Sequence, residues 1–225
     1  STPGHQYCIW SLSSTGSKIL YNYVDGGVST NTAGTEEGIE AYGGTDILIE
    51  GNTVKNVNNN GIYVSVDSGV ALNLLNVRVV NNYVTKCQQG IYLISATSAK
   101  NCLISNNNID ACWNTSINLT YSSGSTVSGI TIANNTTNAS KAGINIVGDA
   151  AATLQENIVV IGNNIVGTSD ASTASISSVS ASNVKFLSNS IKSATQRGMF
   201  ISTGSDIVIK DNNIDTCQTI GIYCY

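Results

Sequence analysis

Short runs of alternating apolar and polar residues fill this chain, and they recur in fixed phase with an asparagine. The marks are Asn52, Asn82, Asn107, Asn135, Asn163, Asn189 and Asn212, at intervals of 30, 25, 28, 28, 26 and 23 residues. Three residues before them stand Ile49, Val79, Ile104, Ile132, Val160, Phe186 and Ile209, and two after them stand Val54, Val84, Ile109, Thr137, Ile165, Ile191 and Ile214. Farther on in each unit a small residue precedes an apolar one, as in Gly61-Ile62, Gly90-Ile91, Ser116-Ile117, Gly143-Ile144 and Gly198-Met199. Alternation with a period of two predicts strands, three short ones per unit separated by turns. A weaker copy runs from Asn22 to Gly38-Ile39.

Self-similarity at this period indicates a repeat architecture, here built from strands without helix. A coil of three short strands buries its inward side chains only when it stacks on a like neighbour. Stacking brings equivalent residues to roughly 4.8 Å from one another. The asparagines then mark one corner of the coil, where such a residue adopts left-handed backbone and bonds to its equivalents up the column. This pattern resembles the right-handed parallel β-helix proteins of the pectate-lyase-like superfamily over about residues 17–225. The fold expected is all-β, a single right-handed parallel β-helix of about seven coils, after a lead-in segment at 1–16.

Composition narrows the partners. Charged residues are 11% of the chain, too few for a helical bundle with solvated faces, while 41% hydrophobic residues and one proline argue against disorder. A net charge of −4 gives no reason to expect nucleic acid, and no apolar run is long enough to span a membrane. Cys87, Cys112 and Cys217 each fall five residues after a mark, an inward position held elsewhere by Val57 and Ala194. Together with Cys102 at an Ile/Val position and Cys224 in the inward slot held by Val64 and Leu93, they are expected to be mostly reduced, buried thiols, with Cys87 and Cys112 near enough for a bridge if their side chains turned together. His5 is the sole histidine, and no Cys/His set has metal-ligand spacing, so neither metal nor cofactor is expected.

Function on such a scaffold comes from outward columns and from loops. One column reads Glu40, Tyr63, Tyr92, Asn118, Asn145, Ser177, Phe200, Tyr223, and a second, two residues on, includes Ile94 and Val147. Tyr63 and Tyr92 make an aromatic strip on which sugar rings could stack, with Asn118 and Asn145 bonding hydroxyls. The same strip also reads as ordinary cross-strand stacking, or as a face buried against a sister chain. Residues 1–70 hold seven acids against two bases, concentrated around two insertions at 25–37 and 65–75. A glycosidase needs two carboxylates about 5–9.5 Å apart, and Glu40 with Asp67 or with Glu37 could meet that. The same residues also read as solvated loop acids.

Other members of the superfamily carry signatures absent here. There is no Gly-His-Gly or Asn-Thr-Asp set of the polygalacturonases, no Asp-Pro-His-Glu of the alginate epimerases, and neither arginine, Arg78 or Arg197, aligns with an acid cluster. The low charge and the wealth of Asn, Ser, Thr and Gly look most like phage tailspike β-helices. That resemblance implies a parallel homotrimer in a virion tail, binding or cleaving bacterial surface polysaccharide. A secreted monomeric polysaccharide lyase or glycoside hydrolase, acting outside the cell, and a structural spacer without a ligand site are the other two readings.

Overall fold

The alternating runs become strands in the computed structural model, which describes residues 7–27, 37–66, 72–138, 140–149, 154–169 and 174–225. Their strands pair in parallel along the whole stack, and no helix among them is long and apolar enough to cross a membrane. One sheet of eight strands stacks Lys18–Leu20, Leu48–Glu50, Arg78–Val80, Leu103–Ser105, Thr131–Ala133, Ile158–Ile161, Val184–Leu187 and Val208–Lys210. The asparagine corner follows each of these strands and leads into a second column that begins at Tyr23–Asp25 and ends at Asn213–Asp215. A third column holds nine strands, from Tyr7–Thr15 and Glu37–Thr45 to Arg197–Ser202 and Ile220–Cys224. The long strands Thr53–Val66 and Tyr83–Ser95 run through both and join them, and with the short stacked strands Leu74–Leu75, Ser98–Lys100, Thr126–Ser128 and Leu154–Glu156 they make one 19-stranded sheet.

The corner departs from expectation in one detail. The residue at positive φ is the one before each mark: Tyr21 (55°), Asn81 (57°), Asn106 (56°), Asn134 (54°), Ser188 (52°) and Asp211 (57°), with Gly51 and Gly162 in the same place. The turn therefore falls one residue early, and it swings the marked side chain into the core, where Asn52, Asn107 and Asn135 are each 1% exposed. There the ladder forms as the repeat predicts. The Nδ2 of Asn22, Asn52, Asn82, Asn107, Asn135, Asn163 and Asn189 each donates to the Oδ1 of the asparagine in the next coil, at 2.9–3.0 Å. The same Oδ1 accepts the backbone N–H of the preceding asparagine, and the amide also reaches a carbonyl of the coil before, as from Asn82 to Ile49 at 3.0 Å. Buried amides are tolerable only when bonded, and the column satisfies them by repetition.

The core is a stack of like on like. Ile39, Ile62, Ile91, Ile117, Ile144, Ile176 and Met199 pair in sequence along the third column and are all fully buried. Each such side chain contributes about 1.5–3 kcal/mol on burial. The small residue before them has a steric cause: a Cβ on Gly61 would lie 2.3 Å from Val84 Cγ1, and one on Gly90 2.5 Å from Ile109 Cγ2. All six cysteines are free. Cys87, Cys102 and Cys112 are buried as expected and Cys217 is half-buried, but Cys224, expected inward, is exposed because it lies, in register with Ile201, on the last strand of its column.

Candidate functional site

Because side chains alternate across a strand, burying Ile39, Ile62 and Ile91 turns the next residue of each strand outward. Register pairs Trp10, Glu40, Tyr63, Tyr92, Asn118, Asn145, Ser177, Phe200 and Tyr223 in one continuous column. Eight of these are the column legible in the sequence. Trp10 is the member the repeat does not reveal, because no asparagine mark precedes Tyr7–Thr15. The alignment of Ile9 with Ile39 was the available signal.

Three outward columns meet at the first rungs and enclose a cleft of about 680 Å³. Tyr7, Glu37, Asn60 and Gln89 form one wall, Trp10, Glu40, Tyr63 and Tyr92 the middle, and Leu12, Tyr42 and Ser65 the other wall. The aromatic rings pair: Tyr7 and Trp10 stack at 5.5 Å with planes 15° apart, and Tyr63 and Tyr92 lie 5.5 Å apart at 31°. Trp10 remains 54% exposed, an open aromatic surface at the cleft mouth.

Both glutamates are 3% exposed, with Glu37 in register beside Tyr7 and Glu40 between Trp10 and Tyr63. Glu37 accepts from Asn59 Nδ2 at 3.0 Å and from the backbone N–H of Asn60 at 3.1 Å. Burial nevertheless pushes its carboxyl up to about 8, with the neighbouring Glu40 charge adding to the rise against the Asn60 and Asn59 hydrogen bonds. Glu40 accepts the Ser65 hydroxyl at 3.0 Å. A neutral carboxylic acid beside a second carboxyl group is the pairing that general acid–base chemistry on a glycosidic bond requires. Of the three acids singled out from sequence, Glu37 and Glu40 come together in one cleft, and Asp67 lies outside the described residues.

Asn118 and Asn145 continue the column beyond the cleft, one and two rungs past Tyr92. They bond to their neighbours along it: Asn118 Nδ2 donates to Gln89 Oε1 at 2.9 Å, Asn145 Nδ2 to Asn118 Oδ1 at 3.0 Å, and the Ser177 hydroxyl to Asn145 Oδ1. The result is a polar lane, fixed in orientation, leading out of the cleft. Ile94 and Val147 lie half-buried in the column beside it. Among the described residues no group of three or more His, Cys, Asp or Glu could hold a metal ion.

The sequence matches the family described as right handed beta helix region over residues 37–173 and 94–225. No curated protein sequence matches it. Among solved structures, the surface protein and adhesin PfbA of Streptococcus pneumoniae superposes with a TM-score of 0.59 at 14% identity, over 96% of this chain and 68% of the adhesin. The enzymatically active domain of tailspike protein 2 of bacteriophage CBA120 superposes with a TM-score of 0.61 at 12% identity, over 98% of this chain and 38% of that one. At these identities the likeness is one of fold.

Proposed function

The chain belongs to the right-handed β-helix family, and on that premise we propose that it is a tailspike-like domain that binds bacterial surface polysaccharide along its outward column and hydrolyses it in the Glu37–Glu40 cleft. The observation that carries this reading is the placement of two buried glutamates, one with its carboxyl raised to about 8, beside paired aromatic rings in one open cleft. Sugar rings stack on Trp10, Tyr63 and Tyr92, while Asn60, Gln89, Asn118 and Asn145 bond hydroxyls. Glu37 delivers its proton to the glycosidic oxygen as the bond to the anomeric carbon breaks. Water supplies the new hydroxyl at that carbon, and its proton passes to the Glu40 carboxylate, from which the pair is reset through solvent. The likeness of fold to a phage tailspike domain and to a bacterial surface adhesin agrees with a virion or extracellular setting. A homotrimer of parallel chains would cover Ile94 and Val147.

The test is release of reducing ends from a panel of bacterial capsular and lipopolysaccharide glycans. Glu37→Gln is expected to abolish turnover while leaving binding intact. Binding without turnover by the unmodified protein would reduce the proposal to a receptor-binding module, and absence of both would leave a spacer.

A further inference from the structure

Four rungs beyond Tyr92, the outward column turns aromatic again. Phe200 and Tyr223 stack with ring centroids 5.7 Å apart and planes within 5°. The guanidinium carbon of Arg197 lies 5.0 Å from both ring centroids. All three side chains are half-buried, and among the described residues no carboxylate pairs with Arg197. The two rings hold the guanidinium in one place without neutralising its charge. Such a group is pre-organised, because its planar fork has already lost its rotamer freedom to the rings and keeps N–H donors for a bidentate acceptor.

We propose that Arg197, Phe200 and Tyr223 form a second, distal glycan subsite that takes a carboxyl-bearing sugar unit. The inference rests on the glycan-binding reading above and deepens it by naming the substrate class as an acidic polysaccharide. Three observations converge on it. The platform lies on the same column as the cleft, joined to it by the lane of Asn118, Asn145 and Ser177, so one extended chain along the axis reaches both. Four rungs at roughly 4.8 Å place the platform roughly 19 Å from Tyr92, a span of several sugar units. Charge also divides along the chain: residues 1–70 hold seven acids and two bases, whereas residues 71–225 hold seven acids and eight bases. An anionic unit is repelled by the acid-rich first coils and meets the Arg197 guanidinium only at the platform. The bound chain therefore places a carboxylate at the platform rather than beside Glu37 and Glu40.

The experiment measures binding of the full chain by calorimetry to a panel of acidic bacterial polysaccharides, each paired with its carboxyl-reduced, neutral counterpart. The expected result is that a bound acidic glycan loses about tenfold or more in affinity on carboxyl reduction, as loss of one charge-assisted pair implies. Arg197→Gln is expected to cause a similar loss and to remove most of the sensitivity to carboxyl reduction. Arg197→Lys is expected to recover part of the affinity. Thermal melting checks that the variants fold, and because carboxyl reduction alters only the glycan, that comparison decides even if Arg197→Gln fails to fold. Equal affinity for the acidic and reduced forms, or an acidic glycan bound equally by wild type and a folded Arg197→Gln, overturns this subsite while leaving the cleft reading standing. Failure to bind any member of the panel, acidic or reduced, overturns both.

Discussion

Holding Glu37 neutral has a thermodynamic signature that can be read without any substrate. Its carboxyl sits at about 8 in the folded protein against 4.5 for the ordinary group. Between those values the unfolded chain ionises and the folded one stays protonated, so the folded state binds more protons. Stability is then fully present below pH 4.5, falls as pH rises, and levels off above pH 8. A separation of 3.5 units at 1.36 kcal/mol per unit makes the total loss about 4–5 kcal/mol. Glu37→Gln removes this slope. The amide has one acceptor oxygen where the carboxyl offers two, to Asn59 and to the Asn60 N–H, so the variant carries a roughly constant penalty of about 1–3 kcal/mol. That penalty shifts its curve without tilting it. Urea unfolding followed by tryptophan fluorescence at pH 5, 7 and 9 supplies the difference. The wild type is expected to lose stability relative to Glu37→Gln at each step, and the two curves to cross between about pH 5 and about pH 7, where the loss equals the penalty. Parallel curves across that range would mean that Glu37 ionises normally, and its assignment as the proton donor would fall with it.

Asn107→Ala is expected to destabilise by about 3–4 kcal/mol in urea, because it orphans the buried N–H of Asn82 and breaks the bonds to Val79 and Asn135. The same change at half-buried Asn212 is expected to cost about 1 kcal/mol, since water reaches the groups it leaves, and equal losses would refute the ladder's energetic role. Tyr63→Ala with Tyr92→Ala is expected to weaken glycan binding at least tenfold with little change in melting temperature, as aromatic stacking contributes about 1 kcal/mol or more per ring. A matching collapse in stability would instead make the pair a structural stack. Burial pushes the Cys112 thiol up to about 12 and the Cys102 thiol up to about 11, and raises Cys87 further still. In native protein these three are expected to stay unreactive toward a thiol reagent while Cys8 and Cys224 react, and labelling of Cys87 or Cys112 ahead of unfolding would refute their placement.

The repeat, and through it the fold, is written in local rules that every coil obeys: a left-handed turn residue, an inward asparagine, alternating strands and a small residue where the next coil's Val or Ile presses in. Local rules repeated at a near-constant period are readable because every copy confirms the others. The outward column follows from the same phase, so the repeat alone puts Glu40, Tyr63, Tyr92, Asn118 and Asn145 on one face. What lies beside what across coils of unequal length is a matter of tertiary packing. The strand Tyr7–Thr15 carries no asparagine mark, so only its pairing with Glu37–Thr45 brings Tyr7 and Trp10 beside the glutamates. The neutrality of Glu37 likewise depends on burial by side chains from neighbouring strands, and desolvation has no local sequence code. Arg197 stands three residues before Phe200, but its contact with Tyr223 exists only because the next coil stacks that ring in register.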